Sequence, residues 1–171
     1  MNPFSTLGIS PKFDVDLEAA ERAHRELSRA LHPDRYLAAP GSERRSALTK
    51  AIEVNEAWRA VRDPIRRAEA LLALQGVRVE EKGPQGDLRP DFLMEMLELR
   101  EALAEARASK DWDAVQAMAA QVRTRAARCE EELTAGFARG QGAAMIAVLA
   151  EMRFYGRFLD EVGAIEDDLA I

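Results

Sequence analysis

The sequence predicts an all-α protein in which an N-terminal helical hairpin with short flanking helices precedes a three-helix bundle. Apolar residues recur every three or four positions through most of the 171 residues, which is the period of a helix buried on one side. The pair Asp63-Pro64 is a helix-start signal that separates two such stretches. Between 76 and 90, glycine and proline interrupt the pattern and no periodic apolar face remains. We therefore expect a first domain at 1–75, a linker at 76–90 and the bundle at 91–171.

The first domain begins with a short element that packs on the hairpin. Residues 2–8 resemble a helical turn ended by glycine, with Phe4 and Leu7 available for packing. Asp14 or Asp16 can cap the helix that follows. With the helix that starts at Asp63, we expect four helices up to about Leu74.

The first long helix should run from about residue 16 to residue 31 with two unlike faces. Three arginines recur on the side opposite the apolar residues, which predicts a basic stripe opposite the core face. The predicted core face consists of Leu17, Ala20, His24, Leu27 and Leu31, and the stripe consists of Arg22, Arg25 and Arg29. We expect His24 to be a packed core histidine.

A second long helix should start at Ser42 or Glu43 and lie antiparallel to the first. Its expected apolar face consists of Leu48, Ala51, Ile52, Asn55, Trp58 and Val61. Within that face, Asn55 is expected to be a hydrogen-bonded structural residue.

The turn between the two helices carries His32-Pro33-Asp34-Arg35-Tyr36. Proline fixes its own φ and disfavours the helical conformation for the preceding residue, so the first helix should end near Leu31 and leave Asp34 aimed outward. An acid–base pair needs a concave site with a third positioned group, and a protruding turn supplies neither. The sequence also shows no Gly-rich phosphate loop, nucleophile elbow or metal-ligand cluster. We expect no catalytic residue, no metal and no cofactor.

The bundle should contain three helices, at about 91–108, 111–135 and 141–169, with breaks at 109–110 and 136–140. Because the connections are short, consecutive helices should be antiparallel.

The first bundle helix has more apolar residues than one core face needs. Phe92, Met96, Leu99, Leu103 and Ala106 form the expected core face. Leu93, Met94 and Leu97 lie about 100° to 200° around the helix from Phe92, among Glu98, Glu101 and Glu105. In the last helix the expected core face is Met145, Val148, Leu149, Met152 and Leu159, with Phe154 and Phe158 on the opposite side. Apolar residues off the core face predict a partner surface.

Charge is divided unevenly along the chain. Residues 1–75 carry 12 Lys and Arg against 11 Asp and Glu, and the remainder carries 12 against 19, which together give the net charge of −6. A basic stripe in a nearly neutral half and an acidic second half suggest two different partners. No strongly basic domain is apparent, so nucleic acid is not an expected partner.

Composition limits the remaining possibilities. A content of 47% hydrophobic and 32% charged residues is typical of a globular protein rather than a disordered one. No apolar run reaches membrane-spanning length, and the start of the chain lacks signal-peptide regions, so we expect a cytoplasmic protein without a membrane partner. The single cysteine, Cys129, excludes an intramolecular disulfide and should be a small buried side chain.

A basic helix, His32-Pro33-Asp34 and a second helix containing Asn55-Glu56-Ala57-Trp58 together resemble a J-domain, the module that stimulates ATP hydrolysis by DnaK-like chaperones. Two later stretches, at 63–72 and 92–101, are similar to the HscB family of iron–sulfur cluster co-chaperones. The resemblance covers nearly the whole chain. It implies two site sets. The chaperone-binding set is Arg22, Arg25, Arg29, His32, Pro33, Asp34 and Arg35, and the scaffold-binding set is Leu93, Met94, Leu97, Glu98, Glu101, Glu105 and Phe154.

The implied function is a non-enzymatic co-chaperone that brings an IscU-type scaffold protein to an HscA/DnaK-type chaperone ATPase. Two alternatives stay open on the sequence. One is a J-protein that serves a general DnaK chaperone with a different client. The other is a helical adaptor without chaperone activity.

Overall fold

The computed structural model describes residues 2–77, 79 and 88–169, and within them all regular secondary structure is helical. The chain divides into two compact units, residues 1–78 and 79–171. The seven α-helices are α1 (Pro3–Thr6), α2 (Leu17–Ala30), α3 (Gly41–Arg62), α4 (Pro64–Leu74), α5 (Pro90–Ser109), α6 (Trp112–Ala138) and α7 (Ile146–Leu169). In the described residues, short 3₁₀ helices at Pro33–Tyr36 and Gly142–Met145 precede α3 and α7. None of the described helices is both long and apolar enough to cross a membrane.

The first unit is a hairpin of α2 and α3 with α1 and α4 packed against α3. Its start and stop signals behave as the sequence predicts. Asp16 caps α2 by accepting from the Ala19 N–H at 2.9 Å, and Asp63 caps α4 by accepting from the Arg66 N–H at 2.9 Å. Fully buried Phe4 anchors α1. The predicted short first helix and the two caps are therefore confirmed.

The predicted apolar face of α3 is largely wrong. Leu48 and Ile52 are 56% and 55% exposed, and of the predicted face only Val61 is buried. The buried residues of this helix are Ala47, Val54, Ala57 and Val61. The side that α3 buries is thus formed by alanines and valines rather than by its leucine and isoleucine.

The predicted core face of α2 is also only partly buried. Ala20 is fully buried, whereas Leu17 at the first position of the helix is exposed. His24 is half-buried and reaches α3 rather than a closed core. The prediction of a packed core histidine is corrected to an interhelical contact residue.

The end of the first unit is described only in part. Gly76 adopts φ +77°, and the N–H of Val77 donates to the Leu72 carbonyl at 2.9 Å, which closes the C-terminus of α4 in a Schellman motif. Most of the predicted linker lies outside the described residues.

The second unit packs α6 against both α5 and α7. The predicted core face of α5 is confirmed for Phe92, Met96, Leu103 and Ala106, while Leu99 is half-buried. The first break falls close to the predicted position, because α5 ends at Ser109. The second break was predicted too early, since α6 continues to Ala138.

The predicted position of Phe158 is wrong. Its side chain is 1% exposed and belongs to the bundle core, together with Tyr155, Val162 and Ile165. The helix α7 contacts both α5 and α6, so its buried arc is wider than the single stripe drawn through Met145, Leu149 and Met152. Leu159, which was predicted to lie on the core face, is only half-buried.

A close approach at Gly136 gives a test of this packing. A Cβ placed there would overlap Sδ of Met145 and lie 2.6 Å from its Cγ, and both residues are buried. We expect Gly136→Ala to lower the free energy of unfolding by about 1 to 3 kcal/mol through overpacking, although alanine is the better helix former.

Gly163 provides the matched control for that measurement. It lies inside α7, and nothing would come within 4 Å of an added Cβ. Gly163→Ala should therefore raise the unfolding free energy by about 0.5 to 1 kcal/mol. Chemical denaturation measures the free energy of unfolding of both variants. Equal stabilisation by both substitutions would contradict the described contact between Gly136 and Met145.

Candidate interaction surfaces

The turn after α2 has the backbone that its proline predicts. His32 adopts φ −60° and ψ 133°, an extended conformation that cannot continue a helix, and Pro33 then starts the 3₁₀ helix Pro33–Tyr36. At this end of α2 the Leu31 N–H donates to the Leu27 carbonyl at 3.0 Å, and the His32 N–H donates to the Arg29 carbonyl at 3.5 Å. The predicted end of the helix near Leu31 is confirmed.

The side chain of His32 caps the turn. Its Nδ1 accepts a hydrogen bond from the Asp34 N–H at 3.3 Å, and Oδ2 of Asp34 lies 3.5 Å from the same nitrogen. A nitrogen that accepts an N–H carries no proton of its own, so in that state it has no hydrogen to give to the carboxylate. The Asp34 side chain, 78% exposed, therefore remains available as an acceptor for a partner.

A second hydrogen bond holds the turn against the helix before it. The hydroxyl of Tyr36 donates to the Ala30 carbonyl at 3.3 Å. Ala30 is the last residue of α2, where backbone carbonyls lack partners within the helix. Arg35, between the two braces, is exposed.

The basic stripe on α2 faces solvent. Arg22, Arg25 and Arg29 are all exposed. Arg25 lies 2.5 Å from Oε1 of Glu21, and Arg22 lies 3.8 Å from Oε2 of Glu18. These are i,i+4 pairs on an exposed helix, which are weak and easily exchanged for a partner.

Contacts across the hairpin position the stripe and the turn. A 2.9 Å hydrogen bond joins Nε2 of His24 to Oδ1 of Asn55, and since a carbonyl oxygen can only accept, the ring nitrogen is the donor. The same imidazole stacks on Trp58 with ring centroids 5.6 Å apart and an interplanar angle of 17°. The predicted structural role of Asn55 is confirmed. These two contacts fix α2 on α3 at the middle of the hairpin.

A second surface lies on α5. Met94 and Leu97 are 57% and 51% exposed, and Leu93 is half-buried. The carboxylates of the same surface, Glu98, Glu101 and Glu105, are exposed. The structure thus places the predicted off-core residues of α5 at the surface.

Phe154 of α7 contacts the start of α5. Its half-buried ring meets buried Phe92 edge to face, with centroids 5.8 Å apart and an interplanar angle of 88°. Phe92 lies in the first turn of α5, so the contact brings Phe154 to that end of the helix. The guanidinium of Arg157 lies over the Phe154 ring, with Cζ 4.5 Å from its centroid.

Ion pairs connect the helices around this surface. Arg125 of α6 lies 2.6 Å from Oε1 of Glu95, and Arg89 lies 3.9 Å from Oε1 of Glu151. Burial raises the pKa of Glu151, and the positive charge of Arg89 opposes that rise.

The single cysteine is buried in the same part of the bundle. Burial raises the pKa of the Cys129 thiol to about 11, and the carboxylates of Glu151 and Glu132 add to the rise. Thiolate is the reactive form, so this side chain is a packing residue, as the sequence predicts.

Comparison with known proteins identifies the family. The family model described as the HSCB C-terminal oligomerisation domain matches residues 88–163. A relative from Ralstonia nicotianae named "Co-chaperone protein HscB homolog" is 40% identical over 139 residues, which are 81% of this chain and 78% of that protein. The chain belongs to the HscB family of co-chaperones. A Burkholderia multivorans relative of the same name is 33% identical over 94% of this chain and 91% of its own length.

Solved structures agree with this assignment. Chaperone HscB from Vibrio cholerae superimposes with a TM-score of 0.87 at 30% identity, covering 99% of both chains. Human co-chaperone HscB gives a TM-score of 0.89 at 22% identity, covering 97% of this chain and 82% of that one, and shows the shared fold. The first unit is accordingly a J-domain and the second is the C-terminal helical bundle of HscB proteins. Membership in this co-chaperone family implies a chaperone partner.

The structure also shows which features the sequence did not predict. Helical spacing predicts that Leu48 and Ile52 lie on the apolar face of α3, yet they are exposed. The contact of Arg157 with Phe154 was not predicted, although Arg157 lies three residues after Phe154, a helical spacing at which two side chains can meet. Among the described residues, no group of three or more His, Cys, Asp and Glu could hold a metal ion.

Proposed function

We propose that this HscB family member stimulates the ATPase of an HscA/DnaK-type chaperone through His32-Pro33-Asp34, and that it delivers an IscU-type scaffold protein to that chaperone. Through this pairing it would assist iron–sulfur cluster biogenesis. The observation that supports the proposal most strongly is the exposed Asp34 carboxylate, held beside a basic helix by the His32 cap and the Tyr36 brace.

The chemistry of ATP hydrolysis belongs to the chaperone, and this chain supplies contacts. An exposed carboxylate with a fixed backbone can make a charge-assisted hydrogen bond to a cation of the partner, and such bonds are stronger than neutral ones. The arginines of α2 act over a longer range by attracting an acidic surface and orienting the approach. Arg35 extends the positive charge to the turn itself.

The bundle provides the second contact in the proposal. Met94 and Leu97 are large apolar side chains exposed beside carboxylates, and Phe154 of α7 contacts the first turn of the same helix α5 through Phe92. Interfaces commonly concentrate their affinity in a few such anchors surrounded by polar groups. We infer that Leu93, Met94, Leu97 and Phe154 anchor the scaffold, and that Glu98, Glu101 and Glu105 orient it.

Carrying both contacts on one chain has a consequence of its own. A scaffold bound to the bundle is delivered to the chaperone at a raised effective concentration, without any strengthening of either contact. The proposed function therefore depends on both surfaces belonging to the same molecule.

Replacement of the turn carboxylate tests the chaperone contact. Asp34→Asn removes the charge and keeps the shape, and the side chain is exposed, so melting temperature should not change. Stimulation of the chaperone ATPase should nearly vanish, because breaking a charge-assisted contact that is buried in a complex typically costs about 2 to 5 kcal/mol.

Asp14→Asn is the matched control for that ATPase measurement. Asp14 is an exposed aspartate of the same unit, outside the turn and the stripe. It should stimulate like the parent. If the folded Asp34→Asn protein also stimulates like the parent, the turn is not the chaperone contact and the adaptor alternative gains support.

Truncation of the exposed apolar pair tests the scaffold contact. Met94→Ala/Leu97→Ala should leave the melting temperature nearly unchanged, since both side chains are more than half exposed. Binding to an IscU-type scaffold, measured by titration calorimetry, should weaken by about 2 kcal/mol or more if the pair is a hot spot.

Two controls bracket this result. Leu74→Ala truncates an exposed leucine of the first unit and should leave scaffold binding unchanged. Leu103→Ala truncates a buried leucine of the same helix α5 and should lower stability by about 2 to 5 kcal/mol. Unaltered scaffold binding by the Met94→Ala/Leu97→Ala protein would mean that the client binds elsewhere, or that the client is a different protein.

A further inference from the structure

Arg157 contacts the ring of Phe154. Its Cζ lies 4.5 Å from the ring centroid, within the range of a cation–π contact. The residue is exposed and lies three positions after Phe154 on α7. The same ring also contacts buried Phe92, with centroids 5.8 Å apart. Phe154 is therefore in contact with both a buried aromatic ring and an exposed cation.

These contacts bear on how Phe154 could bind a partner. An aromatic side chain at a surface normally loses rotational freedom when it enters an interface, and that loss weakens binding. Contacts with Phe92 and Arg157 restrict the ring of Phe154 before any partner arrives. The guanidinium thus contributes preorganisation.

Arg157 also changes the charge pattern of the surface. On α5 the charged residues near Leu97 are the carboxylates of Glu98, Glu101 and Glu105 and the guanidinium of Arg100, all of them exposed. Arg157 adds a positive charge on α7, next to the ring that touches the start of α5. A guanidinium beside an aromatic anchor favours a partner that brings a carboxylate to that position.

We propose that Arg157 is a positioning and specificity residue of the scaffold-binding surface. It holds Phe154 in the orientation used for binding, and it pairs with a carboxylate of the bound protein. The complementary partner surface then has an acidic side chain toward α7, next to the position of Phe154. This inference rests on the proposed scaffold-binding function and assigns that surface a residue that the family motif did not supply.

Two substitutions separate charge from packing at this position. Arg157→Met keeps an unbranched side chain that can cover the ring but removes the charge, whereas Arg157→Lys keeps the charge. Binding of purified IscU-type scaffold to the full-length chain is measured by calorimetry at low and at moderate salt. Arg157→Met should weaken binding about 10-fold at low salt, the effect of losing one charged hydrogen bond, and its affinity should depend less on salt than that of the parent. Arg157→Lys should retain most of the affinity.

Arg123→Met is the control for general loss of positive charge. Arg123 is an exposed arginine on α6, outside the proposed surface, and its replacement should leave binding within error of the parent. The inference is overturned if Arg157→Met binds like the parent at both salt concentrations. It is overturned equally if the lysine and methionine variants weaken binding to the same extent, because charge then plays no part. Tighter binding by Arg157→Met would show that the guanidinium shields Phe154, which is the opposite of the role proposed.

Phe154→Ala in the same assay distinguishes the role of Arg157 from the proposed scaffold-binding function itself. Loss of binding by Phe154→Ala together with parental binding by Arg157→Met rejects only the role of Arg157. Parental binding by both Phe154→Ala and Met94→Ala/Leu97→Ala rejects the scaffold-binding surface itself.

Discussion

The restriction that Pro33 places on His32 is the constraint on which the chaperone-facing half of the structure depends. Held at ψ 133°, His32 cannot extend α2, and its side chain becomes a cap for the turn instead. The carboxylate of Asp34 is thereby presented at a fixed place relative to the arginines of α2. The contacts of His24 with Asn55 and Trp58 join α2 to α3, so the turn is also fixed relative to α3. A flexible turn with the same charges would have to be ordered at each encounter.

The bundle keeps large apolar side chains at its surface while it remains folded. Its core is filled by residues such as Phe92, Met96 and Leu103, so Met94 and Leu97 are not needed for stability. Phe154 combines both features, since its ring packs on buried Phe92 and is itself only half-buried. Packing on the core therefore positions this side chain without burying it completely.

Local rules predicted much of this fold and of the turn, whereas interhelical packing was harder to predict. Capping by Asp16 and Asp63, and the end of α2, follow from chemistry within a few residues and were correct. Leu48, Ile52 and Phe158 were misplaced because helical periodicity gives one face but does not say how many neighbours the helix will have. In α3 the buried residues are alanines and valines, and in α7 two neighbouring helices widen the buried arc. Residue roles at the two surfaces depend on partners and stay predictions.

The central claim is that one chain must carry both surfaces, and a mixing experiment tests it most directly. Asp34→Asn and Met94→Ala/Leu97→Ala each retain one surface, so an equimolar mixture contains both but never on one molecule. With chaperone and scaffold present and co-chaperone well below saturation, the parent should stimulate ATP hydrolysis more than the mixture. The mixture should give no more than the sum of its two variants measured alone. A mixture that matched the parent would contradict the account, because tethering would then contribute nothing.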